Sequence, residues 1–151
     1  MPKSLAELMT FNKQHADIEM PYFGQELFAL AQAKGPLSDV QYRQALSSAK
    51  MMTQEQGIDL LMKQHNLDLI IAPTTGPAWK IDWLIGDHHL GSAASAAAIS
   101  GYPHISLPMG YFHHLPLGLS MFSGKLKEGT LIEVAYAFEQ ITRHRQLPDL
   151  N

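Results

Sequence analysis

Residues 91–110 read GSAASAAAISGYPHISLPMG, and this stretch decides the fold of the second half of the chain. Its alanine-rich part predicts a helix that begins with Ser92 as N-cap, because serine is among the preferred residues at that position. Gly101 ends the helix, since glycine accepts the left-handed backbone that closes many helices. The apolar run 104–107 then predicts a short strand, which Pro108 closes. The stretch therefore predicts a helix followed directly by a buried strand.

The segments on either side supply two more strands and a helix. The apolar run 69–72 predicts a strand before this stretch, and 117–122 predicts a strand after it. The apolar spacing over 130–143 predicts the last helix. Strand, helix and strand in this order indicate a βαβ unit with parallel pairing. We therefore predict the α/β class, with a small, mostly parallel sheet of about three strands and flanking helices.

The first half of the chain, 1–66, is predicted to be helical. Ser4 and Glu7 have the spacing of a capping box, in which a hydroxyl and a carboxylate each accept a backbone N–H. Ser38 and Gln41 repeat that spacing and predict the start of the longest helix.

The whole chain, 1–151, is predicted to be a single segment of a larger domain, with the order βαβ-β-α over 67–151. Three short strands against five helical stretches make a thin sheet with two exposed edges. The strands are also more apolar than a small sheet usually requires. This pattern is typical of an element of a larger sheet rather than of a self-contained fold.

Composition excludes several classes of function. Apolar residues make up 46% and charged residues 17% of the chain, which is typical of a folded protein. The absence of cysteine excludes disulfides, thiolate metal sites and a cysteine nucleophile. The net charge is −3 and the basic residues are scattered, so we expect neither nucleic acid nor a membrane as a partner. The lack of a secretory signal and of a run of roughly 20 apolar residues predicts a cytoplasmic location.

Eight histidines raise the hypothesis of a metal site. The adjacent pairs 88–89 and 113–114 have side chains that diverge on either a helix or a strand. No His-Glu spacing typical of zinc enzymes occurs. His104, which leads into a predicted strand, is interpreted as a packed residue at the edge of the core. We therefore predict no metal site and no cofactor.

Five segments, in this order, resemble the closing part of the amidase signature hydrolases. That family typically shows a strand ending in Pro-Thr, a small-residue helix running into Gly-x-Pro-x-Ile-x-x-Pro, a Leu-Pro-x-Gly-Leu strand and a last helix rich in alanine and aromatics. The resemblance covers essentially the whole chain and is to the C-terminal portion of an amidase. The segments are LMTFNKQHADIEMPYFGQELFALAQAKGPL from residue 8, IIAPTTGPA (70–78), the stretch 91–110, LPLGLSMFSG (115–124) and TLIEVAYAFEQ (130–140).

The resemblance implies a hydrolase of amide C–N bonds whose catalytic residues lie outside this stretch. Members of the family are several hundred residues long and use a serine nucleophile, a second serine in a cis peptide and a lysine base. No Gly/Ser-rich loop and no lysine in an apolar strand match those parts here, so no catalytic residue is assigned. The run 91–95 is interpreted as the start of a helix with Ser92 as its cap. The isolated chain is therefore predicted to be inactive.

Thr74, Thr75, Trp79 and Asp87 are candidates for the wall of a substrate pocket. The two threonines follow a buried strand at its carboxyl end, where α/β sheets usually bind ligands. Trp79 offers an apolar surface, and Asp87 offers a carboxylate for a polar substrate group. The alternatives stay open, because threonine hydroxyls also stabilise turns, indoles also cover sheets and most loop carboxylates are solvated.

Three functions remain as hypotheses. The first is the C-terminal fragment of an amidase, truncated or split, which acts on a small-molecule amide together with a complementary N-terminal amidase chain. The second is a non-catalytic oligomerisation or protein-interaction module derived from an amidase. The third, an independent histidine-dependent enzyme, is least favoured by the histidine spacing. For the first we expect an exposed apolar face where the absent portion packs, with self-association or a complementary chain covering it. Size and surface therefore distinguish the first hypothesis from the second.

Overall fold

A computed structural model describes residues 1–147, and their contacts group the chain into two compact units, Met1–Arg43 and a second that starts at Gln44. A π-helical turn, Gln54–Ile58, continues directly from α4 into α5. The elements in chain order are α1 (Leu5–Gln14), α2 (Ala16–Glu19), α3 (Glu26–Gln32), α4 (Val40–Thr53), α5 (Asp59–His65), β1 (Ile70–Pro73), α6 (Ala94–Ser100), β2 (His104–Phe112), β3 (Leu115–Phe122) and α7 (Glu128–Thr142).

The first unit contains α1, α2 and α3, and the predicted cap at its start is present in part. Ser4 is the N-cap of α1, and its Oγ accepts the backbone N–H of Glu7 at 3.2 Å. The Glu7 carboxylate accepts the backbone N–H of Lys3 at 2.6 Å rather than that of Ser4. Gln25 fastens the start of α3 to α1, because its side-chain amide donates to the carbonyl of Met9 at 3.0 Å. The helical prediction for the first half therefore holds.

The second unit contains a three-stranded sheet in the order β1-β3-β2, and the predicted parallel pairing is wrong. Both β1 and β2 pair antiparallel with β3, with Ile71 and Ile105 each opposite Met121. The strands β1 and β2 therefore run in the same direction, as the βαβ interpretation required, but β3 lies between them. The class remains α/β, and the sheet is antiparallel at every pairing.

A two-residue connection explains the antiparallel pairing. The strands β2 and β3 are longer than predicted and meet at His113 and His114, which have φ angles of 46° and 67°. Positive φ at both central residues is the requirement of a type I′ turn, whose twist matches that of the flanking strands. Such a short turn joins only antiparallel neighbours, whereas parallel strands need a crossover of a dozen or more residues.

The core of the second unit lies on both faces of the sheet. On one face Leu107, Leu119 and Met121 pack against α7, which contributes the buried Leu131 and Ala135. Successive strand residues point to opposite faces, so the alternate positions face the other helices. There the buried residues that pack together are Ile58, Ala97 and Phe122.

Two polar contacts connect the π-helical turn and the start of α5 with the end of α6 and the residues that follow it. The side-chain amide of Gln54 donates to the carbonyl of Ser100 at 2.6 Å, and the hydroxyl of Tyr102 donates to Asp59 Oδ2 at 2.8 Å. Gly57 lies inside the turn, where an added Cβ would be 2.7 Å from the carbonyl oxygen of Met52. The helix therefore changes its pitch locally around Gly57, and α5 continues from the turn.

Candidate functional site

The loop that follows β1 is closed at its neck. Thr75 and Ser92 form an isolated antiparallel bridge, and the backbone N–H of Ala93 donates to the carbonyl of Thr74 at 3.1 Å. The residues between, 76–91, leave the sheet and return to nearly the same place, as in an Ω-loop. We call this segment the neck-closed loop. Its two ends place Thr74 and Thr75 beside the start of α6.

The structure brings two of the predicted site residues together inside the neck-closed loop. The indole Nε1–H of Trp79 donates to Asp87 Oδ1 at 3.2 Å, and the ring of His89 meets the indole edge-on with 6.0 Å between centroids. A hydrogen bond from an indole to a carboxylate is charge-assisted, so it holds the aromatic ring in a defined orientation. Both side chains are exposed and face solvent as well as each other.

The tip of the neck-closed loop combines a fixed turn with an apolar surface. Asp82 Oδ1 accepts the backbone N–H groups of Leu84 at 2.8 Å and Ile85 at 2.9 Å. The bond from Ile85, followed by the bond from Leu84, holds the pKa of the Asp82 carboxyl below its usual value. Leu84 and Ile85 expose 96% and 77% of their surface. The carboxylate therefore shapes a turn that presents apolar side chains outward.

Thr74 belongs to a row of hydrogen-bonded side chains across all three strands. Its Oγ1 lies 2.6 Å from Ser106 Oγ and accepts the hydroxyl of Ser120 at 2.9 Å. His104 Nε2 lies 2.7 Å from Ser120 Oγ. We call these four residues, His104, Ser120, Thr74 and Ser106, the hydroxyl row. The interpretation of the sequence gives His104 only a packing role and misses both serines.

The alternation of side chains along the strands is the feature of the sequence that indicates Ser106 and Ser120. Ser106 and Ser120 are direct partners in the β2–β3 pairing, and His104 lies two residues before Ser106 on the same face. A correct hairpin register would have placed these polar groups together. Thr75, in contrast, is exposed and is not part of the hydroxyl row. Its backbone forms the bridge to Ser92.

A separate groove of about 1430 Å³ runs along the β2–β3 hairpin and α7. Its walls include Tyr111, Tyr136 and Glu139, and none of the four predicted site residues lines it. In the part of the chain that the structure describes, no three histidine or acidic side chains are grouped to hold a metal ion. No helix among the described residues is long and apolar enough to cross a bilayer.

The lysine and serine side chains differ in their exposure and in their hydrogen bonds. All eight lysines, at positions 3, 13, 34, 50, 63, 80, 125 and 127, are exposed. Ser120 is fully buried, and its proton is given to Thr74. Ser92 Oγ accepts the backbone N–H of Ala94, the first residue of α6, at 3.2 Å. The helix begins at Ala94 with Ala93 as its N-cap, so the predicted start at Ser92 is two residues early and the predicted cap is one residue early.

Comparisons with known proteins give one consistent result. A probable amidase from Arabidopsis thaliana is 33% identical over 149 residues, which is 97% of this chain and 25% of that protein. A glutamyl-tRNA(Gln) amidotransferase subunit from Clostridium kluyveri is 37% identical over 117 residues, or 74% of this chain and 23% of that protein. The solved structure of native peptide amidase from Stenotrophomonas maltophilia matches at 42% identity with a TM-score of 0.89, and the match covers 99% of this chain and 30% of that one. No family model matches the chain.

The shared sequence and fold define the class, an α/β chain similar to part of known amidases. The chain belongs to the amidase signature family and corresponds to the C-terminal portion of such a protein. It spans 25% of the length of the Arabidopsis amidase and 30% of the peptide amidase chain. The resemblance read from the ordered segments is therefore confirmed.

Proposed function

We propose that this chain is the C-terminal part of an enzyme that hydrolyses amide C–N bonds in small-molecule amides. In this proposal the 151 residues form a single segment that supplies part of the substrate pocket. The catalytic serines and the lysine lie in another part of the enzyme. The likeness to a peptide amidase over almost the whole chain carries the proposal, and that name favours peptide amides as the substrate class.

The pocket wall in this proposal consists of Thr74, Thr75, Trp79 and Asp87. Support comes from the neck-closed loop, whose ends hold the threonines beside α6 and whose Trp79–Asp87 hydrogen bond orients an exposed indole. An indole face packs against an apolar substrate group, and a carboxylate accepts an N–H from an amide or amine.

Inactivity of the isolated chain follows from the chemistry of nucleophilic catalysis. A serine hydroxyl attacks an amide only when an adjacent base removes its proton and backbone N–H groups stabilise the oxyanion. Each lysine of this chain is exposed, and Ser92 already accepts a helix N–H. These features support a role in substrate binding rather than in bond cleavage.

An activity assay of the purified chain tests this part of the proposal. We expect no turnover of simple amides or esters, and the Ser92→Ala variant should give the same background rate as the unchanged chain. The matched control is Ser95→Ala, which alters an exposed serine one turn further along α6. Amide hydrolysis that disappears in Ser92→Ala but persists in Ser95→Ala would refute the proposal, because Ser92 would then be a nucleophile.

The alternative function, a non-catalytic oligomerisation or interaction module, is favoured by exposed apolar surface in the second unit. The strands β1 and β2 are both sheet edges, and Ile71 on β1 is 59% exposed. Such edges and the apolar tip of the neck-closed loop are surfaces that a partner covers. We propose that the partner is a complementary N-terminal amidase chain, with self-association as the alternative.

Sedimentation distinguishes a complementary N-terminal amidase chain from a second copy of this chain as the partner. The chain alone is expected to self-associate and to bind a dye that reports apolar surface, and addition of a separately produced N-terminal amidase portion should convert it to a one-to-one complex. Self-association that persists in the presence of that portion would favour the interaction module. A clean monomer without dye binding would contradict both.

A further inference from the structure

The hydroxyl row has a defined direction of proton donation at its buried end. Ser120 is fully buried, and its hydroxyl donates to Thr74 Oγ1. A serine hydroxyl has a single proton to give. Ser120 must therefore accept from His104 Nε2, which lies 2.7 Å away and carries the proton of that bond.

The exposed end of the row consists of Thr74 and Ser106. Once Thr74 Oγ1 accepts from Ser120, its own proton has one side-chain acceptor among the described residues, Ser106 Oγ at 2.6 Å. Either hydroxyl can donate in that bond, and when Thr74 donates, the proton of Ser106 is directed away from the row. Each bond in such a chain polarises the next, so the last hydroxyl becomes a better donor.

The charge of the histidine does not reverse this direction. A neutral imidazole protonated at Nε2 and a doubly protonated imidazolium both donate from Nε2. Only the tautomer with its single proton on Nδ1 would require Ser120 to donate to His104, and Ser120 already donates to Thr74. The bonds from His104 to Ser120 and from Ser120 to Thr74 therefore keep their direction whether or not His104 carries a charge.

Gly118 is an independent sign that the fold makes room for the exposed end of the row. A Cβ added at this position would lie 2.7 Å from Thr74 Oγ1 and 3.0 Å from Ser106 Oγ. The backbone N–H of Thr74 also donates to the carbonyl of Gly118 at 2.7 Å, which fixes the end of β1 against β3. Glycine at 118 thus lets two hydroxyls meet over a strand that approaches closely.

We infer that Ser106, which is exposed, is a ligand-binding residue whose hydroxyl donates to the carbonyl oxygen of an amide ligand, with His104 and Ser120 as positioning residues behind it. A terminal donor selects a ligand atom that only accepts, as a carbonyl oxygen does. The row reaches the carboxyl end of β1, where the neck-closed loop begins. The choice of an amide rests on the proposed function.

The direction of the row is tested by nitrogen NMR of the histidine rings in the full chain. We expect His104 to carry a proton on Nε2, with its signal assigned by loss in His104→Gln. The Ser120→Ala variant should lose the protection of that proton from exchange with solvent. A His104 ring with its only proton on Nδ1 would overturn the inference.

The ligand is tested by titrating the chain with N-acetylglycinamide and following backbone amide shifts. We expect shifts at Ser106 and Thr74, and a Ser106→Ala variant should bind about tenfold more weakly, as loss of one hydrogen bond predicts. The control Ser95→Ala removes an exposed α6 serine and should leave the affinity unchanged. Retention of the His104 Nε2–H signal in Ser106→Ala shows that this variant is folded.

Two outcomes would overturn the ligand assignment. One is the absence of a shift at Ser106, or equal affinity in Ser106→Ala. The other is tighter binding of acetate than of N-acetylglycinamide with the same dependence on Ser106, which would make the ligand a carboxylate. Either result leaves the proposed amidase function standing, because that function is tested separately by measuring the hydrolysis of an amide.

Discussion

Gly118 shows at the scale of one residue how the sheet accommodates polar side chains. Its missing side chain is the space in which Thr74 Oγ1 and Ser106 Oγ lie 2.6 Å apart. A glycine inside a strand often marks the close approach of another element, and the structure shows such an approach at Gly118. The sequence does not indicate which element approaches, because Thr74 and Ser106 are 32 positions apart in the chain.

Gly118→Ala should therefore destabilise the fold. The new methyl would lie 2.7 Å from Thr74 Oγ1, so strand or hydroxyl must move, at a cost of about 1–3 kcal/mol in the free energy of unfolding. Urea unfolding measures this change. Gly129→Ala is the matched control, since nothing lies within 4 Å of a Cβ in the first turn of α7. That variant should be unchanged or more stable by up to about 1 kcal/mol. Equal stability of Gly118→Ala and the unchanged chain would contradict the packing described.

Tyr102 gives the chain a predicted loss of stability at high pH. Burial first, and then the hydrogen bond to Asp59 and its charge, raise the pKa of Tyr102 from 10.0 to about 12. The folded state thus holds the phenol proton more tightly than the unfolded chain does. The resulting stability is present below pH 10.0 and is lost as the pH rises towards 12.

Asp59→Asn is expected to lower the pKa of Tyr102 only part of the way to its ordinary value, because desolvation remains. Absorbance of the tyrosinate during a pH titration measures this, and Tyr102→Phe identifies which of the tyrosines is responsible. A Tyr102 that titrates at the same pH in the unchanged chain and in Asp59→Asn would show that the hydrogen bond does not hold the phenol.

The β2–β3 hairpin is the element that sequence reasoning read least well. Its turn residues, His113 and His114, lack the Asn-Gly or Asp-Gly pattern that marks type I′ turns. The strand that ends at Phe112 also contains Pro108 and Gly110, which interrupt an ordinary strand pattern. The structure accommodates them on an edge strand, with a register shift between Pro108 and Gly110. A missed hairpin produced the wrong prediction of parallel pairing.

Replacing His113-His114 by Asn-Gly should stabilise the hairpin. Left-handed backbone costs a residue with a Cβ roughly 1–2 kcal/mol, and glycine avoids that cost, so a gain of about 1 kcal/mol is expected. Denaturant unfolding with an unchanged m-value measures the gain. His113→Val is the opposing control, because a β-branched residue at φ 46° should destabilise the turn. A gain in both variants would contradict the turn geometry.

Helix α7 shows which features of a helix its apolar periodicity predicts. The apolar spacing over 130–143 places on one side of the helix Leu131, Val134, Ala135, Phe138 and Ile141. Leu131 and Ala135 are buried and Phe138 packs against the core. Val134 and Ile141 expose 37% and 84% of their surface, so the sheet covers only part of this side. A helical pattern identifies which side of a helix is apolar, but it does not say how far along the helix a neighbouring sheet extends.

For the molecule as a whole, the sequence predicted the family better than the site. The ordered segments identified the amidase resemblance, which the relatives confirm. The choice of Thr74 as a pocket residue, from its position after β1, stays a prediction. The hydroxyl row joins residues as far apart as Thr74 and Ser120, 46 positions, and depends on a register that could not be read without the hairpin. The exposed apolar residues of the neck-closed loop and sheet edges are the features expected of a piece that works with a larger structure.

A chimera with the peptide amidase of Stenotrophomonas maltophilia provides the decisive measurement. This chain matches 30% of the length of that enzyme, and the matching C-terminal part is replaced by residues 1–151. The hydrolysis of a peptide amide is then followed. The controls are the chain alone and the amidase without its C-terminal part. We predict that the chimera hydrolyses the amide and that neither control does. Hydrolysis by the chain alone, or a folded chimera without activity, would contradict the assignment of this chain as the binding portion of an amidase.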